Sequence, residues 1–202
     1  MRALKEQRYT SSIKDMPLMF SEMRRTALLL CNGKSKDEII ALSLEKNIYQ
    51  LEKEKRRRDV PLRMINRLGV IGKPLVEVIA KGYGGDAKLT AFLALMKSDR
   101  LLFEYMSEVY ADKFHSGHDE INDKDFIEFI DRKSQNSETV AAWSASTFTG
   151  VRTKIKSALC EAGLAKRNGD NLLILRPIVD DELLQLLSAD DNLYARAMLL
   201  EV

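Results

Sequence analysis

The segment TFTGVRTKIKSALCEAGL, residues 147–164, constrains the fold most, because its apolar residues recur at the spacing of an α-helix. A helix begun by Ser146 or Thr147 would place one set of side chains on a single packed face. These side chains are Val151, Ile155, Ala158, Leu159 and Ala162. Gly163 then supplies a typical C-terminal stop. The segment therefore predicts an amphipathic helix that ends at this glycine.

The residues after this helix predict a β-hairpin. LAKR and NLLIL are short runs on either side of Asn168-Gly169-Asp170, and Asn-Gly pairs favour the tight turns of hairpins. The order helix, turn, basic helix, hairpin is that of a winged-helix unit. We place this predicted unit at about residues 137–178.

The opposite face of the predicted helix carries basic and hydroxyl side chains. In a winged helix, side chains on the exposed face of the second helix contact phosphates and base edges, and the wing reaches the flanking backbone. The predicted DNA contacts of this segment are Thr149, Arg152, Thr153, Lys154, Lys156, Lys166 and Arg167. The alternative is a winged helix that binds protein, with these residues forming a solvated polar face.

A second basic stretch, KEKRRRDVPLRMINRLG, occupies residues 53–69. Pro61 favours the first turn of a helix, so we predict that a helix begins there, ends at Gly69 and exposes Arg63 and Arg67. Residues 20–69 would then form a helix-turn-helix unit with a basic third helix. The predicted contacts in this stretch are Arg56, Arg57, Arg58, Arg63 and Arg67. A solvated linker is the alternative for KEKRRRD.

The rest of the chain indicates a mainly α protein, because helix-forming residues are abundant and its 202 residues include only 4 prolines and 10 glycines. We predict a helical bundle with a helix-turn-helix-like N-terminal part and the C-terminal winged-helix unit. The connector GYGGD suggests a boundary between an N-terminal domain, residues 1–85, and a C-terminal domain, residues 86–202. Aromatic residues at helical spacing are interpreted as core: Tyr105, Tyr110, Phe126, Phe129 and Trp143.

No motif in the sequence indicates catalysis or a cofactor. His115 and His118 lie in DKFHSGHDE, a polar segment with a glycine, which favours an exposed loop over a metal site. The sequence has no HExxH or paired CxxC motif, and GYGGD lacks the GK[ST] of a phosphate-binding loop. We therefore expect a protein that is not an enzyme and that has no metal and no cofactor.

The charge and hydropathy of the sequence bear on the expected partner and on the expected cellular location of the protein. The 32 Lys and Arg residues nearly balance the 30 Asp and Glu residues, so local clusters, and not the net charge, indicate a polyanionic partner. The start MRALKEQRYTSS lacks the apolar core of a secretion signal, and no apolar run approaches the roughly 20 residues of a membrane span. Cys31 and Cys160 lie in apolar patterns typical of reduced, buried thiols. We expect a cytoplasmic protein with no membrane partner.

Several stretches, in order along nearly the whole chain, resemble the BrxA family, a small component of BREX bacteriophage-exclusion systems. They are RYTSSI, MFSEMRRTALLLCNGKSKDEII, LLFEYMSEVYADKF, and VAAWSASTFTGVRTKIKSALCEAGLAK with the following LRP. The most specific are EVYADKF and WSASTFTGVRTKIKSALCEAGL. Among the predicted contacts, Thr149, Arg152, Thr153 and Lys156 lie within the matching motif. The stretch KEKRRRDVPLR is one in which the family varies.

The resemblance implies a non-enzymatic protein encoded with a DNA methyltransferase, a phosphatase-like protein, a large ATPase and often a Lon-like protease. Together these proteins protect host DNA by methylation and block phage replication. The family has also been likened to the RNA-binding factor NusB, which implies helices and keeps RNA as an alternative ligand.

The expected partner of this chain is double-stranded DNA, bound mainly through phosphates, with other BREX proteins as further partners. We favour DNA because the wide major groove of B-DNA admits a helix, whereas the major groove of RNA is deep and narrow. The alternative function is a protein adaptor within the defence complex.

Overall fold

The computed structural model describes residues 7–190 and 192–200. Helices predominate in this part of the chain, and its strands form one small antiparallel sheet of three strands. The predicted mainly α fold with a small hairpin is therefore confirmed. The chain divides into two compact units. We call Leu18–Ser98 the helical unit, and the described residues of segments 1–17 and 99–202 the sheet unit.

The helical unit consists of five helices. They are α1 (Phe20–Cys31), α2 (Lys36–Lys46), α3 (Glu54–Leu68), α4 (Lys73–Lys81) and α5 (Gly84–Ser98). Every residue from Leu89 to Met96 in α5 is buried, and α5 packs against α1, α3 and α4. A helix that is apolar on all sides belongs in the centre of its unit. The core of the helical unit thus includes α5, which comes directly after the connector GYGGD.

The prediction that a helix begins at Pro61 is wrong. Pro61 lies inside α3, whose first residue is Glu54. A proline has no N–H, so the carbonyl of Arg57, four residues earlier, lacks its usual helical donor. The buried hydroxyl of Ser43, on α2, donates a hydrogen bond of 2.6 Å to this carbonyl. The neighbouring helix therefore replaces the missing donor, and α3 continues through the proline.

The predicted exposure of Arg67 is wrong, because its side chain is buried with only 2% exposed. Its Nη1 donates to the carbonyl oxygen of Leu18 at 3.4 Å. The helix α3 packs against α1, α2 and α5, so several sides of it meet protein. Arg63, one turn earlier, is half-buried.

The sheet unit combines helices with the strands. Its helices are α6 (Arg100–Tyr105), α7 (Asp112–His115), α8 (Asp123–Gln135), α9 (Glu138–Ala141), α10 (Ala145–Glu161), α11 (Asp181–Asp190) and α12 (Asn192–Ala197). The π-helical segment Met106–Ala111 joins α6 to α7, and a 3-10 turn spans Ser12–Lys14. The strands are β1 (Glu120–Ile121), β2 (Ala165–Asn168) and β3 (Asn171–Ile174).

The aromatic core of the sheet unit is largely as predicted. Tyr105, Tyr110, Phe126 and Phe129 are buried, and the rings of Tyr105 and Phe129 meet edge to face. Trp143 is the exception, because it is half-exposed in the turn after α9. The helix α9 ends at Ala141, so the tryptophan lies outside the helical periodicity on which its core assignment depended.

The predicted helix and hairpin are both present. The helix α10 begins at Ala145, slightly earlier than expected, because the Ser144 side chain accepts a hydrogen bond from the Thr147 amide. The five residues of its predicted packed face are all buried. Gly163 comes next with a φ of +76°, a left-handed conformation that glycine adopts without strain. The helix and its stop are thus confirmed.

The sheet has the strand order β1-β3-β2, with antiparallel pairing throughout. In the hairpin, Asn168 pairs with Asn171, and Gly169 takes the positive φ of +58° that such two-residue turns require. The strand β1 was not predicted, because two residues are too few to produce an alternating pattern.

Two further findings concern the predictions on membrane spans and on the two cysteines. Within the described part of the chain, no helix has the length and apolar character needed to cross a membrane. Cys31 and Cys160 are free, but both are half-buried instead of fully buried as predicted.

Candidate nucleic-acid interface

The hairpin is fixed to the body of the sheet unit through one buried tyrosine. The hydroxyl oxygen of Tyr110, in the π-helical segment, lies 2.9 Å from the carbonyl of Leu164 and 2.7 Å from that of Leu175. These carbonyls precede β2 and follow β3, so the hydroxyl can donate to either end of the hairpin. Burial raises the pKa of Tyr110 far above its ordinary value, so it remains a donor at neutral pH.

The tip of the hairpin is held by a carboxylate from β1. The two oxygens of Glu120 accept hydrogen bonds from the side-chain amides of Asn168 and Asn171, which flank the turn. These two asparagines close the hairpin at its last paired position. Glu120 was missed from the sequence because its partners lie about fifty residues later in the chain. Together with Tyr110, this contact makes the hairpin a supported element and not a free loop.

The sequence predicts that Lys156 lies on the exposed face of α10, but the structure places it elsewhere. Its side chain is buried, with 8% of the residue exposed. The ammonium donates to the Asp123 carboxylate at 2.5 Å and to the carbonyl of Asp170, in the hairpin turn, at 2.7 Å. A single lysine therefore connects α10, the start of α8 and the turn of the hairpin. Its exposure was predicted wrongly, because helical spacing does not reveal an acidic partner on another element.

Arg152 shares this carboxylate. Its Nη1 lies 2.8 Å from the second Asp123 oxygen, and about a quarter of its side chain remains exposed. The hydrogen bond from Lys156, together with the charges of Lys156 and Arg152, lowers the pKa of Asp123. The carboxylate is therefore ionised at neutral pH and offsets part of the positive charge on this side of α10.

The side of α10 that faces solvent carries different residues. Thr149 and Thr153 are exposed, and Lys154 is half-exposed. The Thr153 hydroxyl donates to the Thr149 carbonyl at 2.8 Å and keeps its lone pairs for an outside donor. On the hairpin, Lys166 and Arg167 are both exposed. We use the name "outer face" for these five surface residues, of which Lys166 and Arg167, as neighbours on β2, point to opposite sides of the sheet.

The predicted contacts in the second basic stretch lie in the helical unit. Arg58 is exposed, whereas Arg56, Arg57 and Arg63 are half-buried. The Arg57 guanidinium donates to the carbonyl of Leu51 at 2.8 Å, within its own unit. The basic run thus includes one arginine with a structural partner, in addition to the buried Arg67. Its exposed positive charge is smaller than the sequence suggests.

An apolar groove, which sequence reasoning did not identify, lies between α8 and α10. Its cavity volume is about 290 Å³. Six of the residues that line it are Phe126, Ile127, Ile130, Phe148, Thr149 and Arg152. Ile127 is 50% exposed, which is high for a large apolar side chain. The groove is an observation separate from the charged residues of the outer face.

The residues considered for metal binding are not assembled into a site. His115 and His118 are both exposed as predicted, but His118 lies in a loop whereas His115 is the last residue of α7. Among the described residues, no group of three or more His, Cys, Asp or Glu side chains is placed to hold a metal ion.

Known proteins resemble this chain over nearly its full length. The sequence profile of the BrxA family matches residues 7–191. The BREX protein BrxA of Bacillus cereus (strain H3081.97) is 34% identical over 192 residues, which cover 95% of this chain and 96% of that protein. An uncharacterized protein from Magnetospirillum magneticum has a solved structure that matches with a TM-score of 0.81. It is 21% identical, with 95% of this chain and 98% of that chain covered, and this likeness concerns the fold alone. The family profile and the relative together place the chain in the BrxA family of BREX phage-defence proteins.

Proposed function

We propose that this chain is a non-enzymatic accessory component of a BREX system that binds duplex DNA, mainly through backbone phosphates. The observation that carries the proposal is the outer face. There, Lys154 on α10 and Lys166 and Arg167 on the hairpin are cations at the surface, and Thr149 and Thr153 are exposed hydroxyls of α10. Cations and hydroxyls are the side chains that most often contact DNA phosphates.

In this proposal α10 acts as the recognition helix of a winged helix and the hairpin as its wing. The apolar side of α10 is buried against the unit, so its threonines are free to approach a groove edge. Tyr110 and Glu120 hold the hairpin, and a hairpin supported in this way binds a phosphate without first being ordered. Sequence preference is expected to be weak, because phosphate contacts carry no direct sequence information.

In this proposal the two basic residues that share Asp123 have different roles. Arg152 remains partly exposed and can turn toward a phosphate. Lys156 is buried, so we assign it a positioning role in which it holds the hairpin turn against α10. In this role Lys156 supports the contacts that Lys166 and Arg167 make and does not itself touch DNA.

Fluorescence-polarisation titration of a random-sequence duplex tests the proposal. Binding should weaken steeply between about 50 mM and about 200 mM salt, because each phosphate contact releases counterions. Lys166→Glu with Arg167→Glu should weaken binding by more than about tenfold and lower the salt slope by about 2. Lys36→Glu with Lys73→Glu is the matched control, since both lysines are exposed in the helical unit. No binding by the parent protein, or equal losses in both variants, would contradict the proposal.

Competition with a matched RNA duplex identifies the nucleic acid. The major groove of duplex RNA is too deep and narrow for a helix such as α10. We therefore expect the RNA duplex to displace DNA at least about tenfold less well than unlabelled DNA. Stronger competition by RNA than by DNA would replace the DNA proposal by one of RNA binding, the alternative that the likeness to NusB implies, and equal competition would show that the protein does not distinguish the two duplexes.

A second candidate function is that of a protein adaptor, and the apolar groove between α8 and α10 is the observation that favours it. Exposed apolar surface of this kind is common where proteins meet. Its candidate partners are the methyltransferase, the phosphatase-like protein and the ATPase of the same system. Under this hypothesis, Ile127→Ser, which adds no charge, abolishes co-elution with one of these proteins on size exclusion and leaves DNA affinity unchanged. Co-elution of the parent with none of the three would contradict it.

A further inference from the structure

A segment from the beginning of the chain lies on the candidate recognition helix. The 3-10 turn Ser12–Lys14 packs against α10, and Ile13 within it is 1% exposed. The segment is also held further upstream. The Tyr9 hydroxyl donates to Glu104 at 2.7 Å, and the Arg100 guanidinium stacks on the Tyr9 ring at 4.2 Å. The contacts of Tyr9 and the packing of Ile13 therefore fix the position of Lys14 relative to α10.

Lys14 crosses α10 at its glycine. A Cβ atom added to Gly150 would lie 2.8 Å from Cγ and 2.9 Å from Cδ of Lys14, closer than real Cβ contacts. The lysine stem thus occupies the space that any other residue at position 150 would need. A glycine in the second turn of a helix lowers helix stability, so its presence here needs a local reason. The close approach of Lys14 supplies that reason.

The crossing produces a concave surface on α10. Its volume is about 580 Å³, and it opens to solvent. Six of its lining residues are Lys14, Asp15, Ser146, Thr149, Thr153 and Lys154. Lys14 and Lys154 supply two positive charges beside three hydroxyls, and Asp15 supplies one negative charge. Threonines and a lysine of the outer face are therefore part of the same surface as the N-terminal lysine.

We propose that Lys14 is a phosphate-binding residue of the DNA interface, delivered to α10 from the N-terminal segment through the space above Gly150. This inference rests on the proposed function. The phosphate is that of the DNA backbone, which Lys14 and Lys154 contact together while the hydroxyls of Thr149 and Thr153 lie between them. Lys14 lies at Gly150 in the second turn of α10, and the hairpin turn is bound to Lys156 further along the helix, so the two elements extend the proposed contacts along α10.

The first test removes the charge and keeps the stem. Lys14→Met should retain the packing on α10 and lower duplex affinity about fivefold to tenfold near 0.1 M salt, with the salt slope reduced by about 1. Arg196→Met, on the exposed side of α12, removes one positive charge elsewhere in the same unit and should leave affinity within about twofold. If the parent protein binds DNA but Lys14→Met binds equally well, the inference fails and the proposed function stands. If the parent does not bind, both fail.

The second test displaces the charge without removing it. Gly150→Ala should push the flexible Lys14 side chain aside, keep or raise the thermal stability, and lower duplex affinity by about the same factor as Lys14→Met. The double variant should bind no more weakly than either single variant, because both changes remove one contact. Losses that multiply in the double variant, or a Gly150→Ala protein that binds like the parent, would overturn the inference.

Discussion

Two basic helices, α3 and α10, have similar sequence patterns but different surroundings. Each carries a basic residue that helical spacing places on the outside and that is in fact buried, Arg67 in α3 and Lys156 in α10. In α10 the buried ammonium is bound by a carboxylate of α8 and by a carbonyl of the hairpin turn. In α3 the guanidinium reaches the carbonyl of Leu18. Both buried cations hold elements of their own unit together.

The two helices differ in the element that comes next along the chain. After α10 the chain forms a hairpin that exposes Lys166 and Arg167, whereas α3 is succeeded by α4, a helix that packs on α1 and α5. In the proposed interface, α10 and the basic hairpin that follows it together contact the duplex. The proposed interface at α10 therefore depends on the element that follows the helix as well as on the basic residues within it.

The largest expected effect separates the two helices directly. Lys154→Glu with Lys166→Glu and Arg167→Glu should lower duplex affinity at least about a hundredfold near 0.1 M salt, because several phosphate contacts are lost and repulsion is added. Arg56→Glu with Arg58→Glu and Arg63→Glu should lower it less than about fivefold. Fluorescence polarisation measures both.

The two triple variants are matched in charge. Each reversal changes the charge by −2, so three reversals take the net charge from +2 to −4 in both proteins. Any difference in affinity therefore comes from where the charges lie. Equal losses would show that α3 also binds DNA, and the bipartite interface suggested by the sequence would then replace the single one.

The next effect concerns Lys156 and the position of the hairpin. Lys156→Met keeps most of the side-chain volume but removes the donor to Asp123 and Asp170, and we expect a loss of about 2 kcal/mol in the free energy of unfolding. Hydrogen exchange of the hairpin amides should become faster. Urea titration and exchange measured by mass spectrometry check the two results.

Lys154→Met provides the control for this prediction. Lys154 is half-exposed, and its removal should change stability by less than about 0.5 kcal/mol while weakening DNA binding. The positioning role of Lys156 would be wrong if Lys156→Met left both stability and exchange unchanged and lost DNA affinity alone.

A smaller effect tests how α3 tolerates Pro61. Ser43→Ala leaves the Arg57 carbonyl without its donor, and we expect a loss of about 1 kcal/mol in stability. In a Pro61→Ala background the backbone N–H returns, so the same serine substitution should cost less than about 0.3 kcal/mol. A double-mutant cycle from urea titrations measures the coupling. A cost of Ser43→Ala that is the same in both backgrounds would show that the hydroxyl does not replace the missing donor.

Local pattern was sufficient to predict the parts of the molecule that depend on neighbours in sequence. The packed face of α10 follows from apolar residues at helical spacing, and the hairpin follows from an Asn-Gly turn that needs a positive φ. Both are determined within about thirty residues of chain. Predictions of this kind were confirmed.

Predictions that depended on distant contacts were wrong or incomplete. Lys156 meets a carboxylate 33 positions earlier, and Arg67 meets a carbonyl 49 positions earlier. The serine that supports Pro61 lies on the preceding helix, and Lys14 reaches α10 from the other end of the chain. A single sequence does not reveal which polar groups contact each other in the fold. Every polar residue of a helix is therefore predicted to face solvent. Their assignment to an interface requires the three-dimensional structure.

The smallest expected effect is a pH dependence of stability that should appear at the Asp123 contact of α10 and not at the Ser43 contact of α3. Because the hydrogen bond from Lys156 lowers the pKa of Asp123 below its ordinary value of 3.8, the carboxylate stabilises the folded state. This contribution is fully present above the unfolded pKa and is lost as pH decreases through the folded pKa. The stability difference between the parent and Asp123→Asn should be constant from about pH 7 to about pH 5 and should shrink below about pH 4.

The cost of Ser43→Ala should stay constant over the same range, because its hydroxyl and carbonyl do not titrate. Urea titrations at each pH measure both differences, and a cost of Asp123→Asn that persists at the lowest pH would show that its charge does not stabilise this contact.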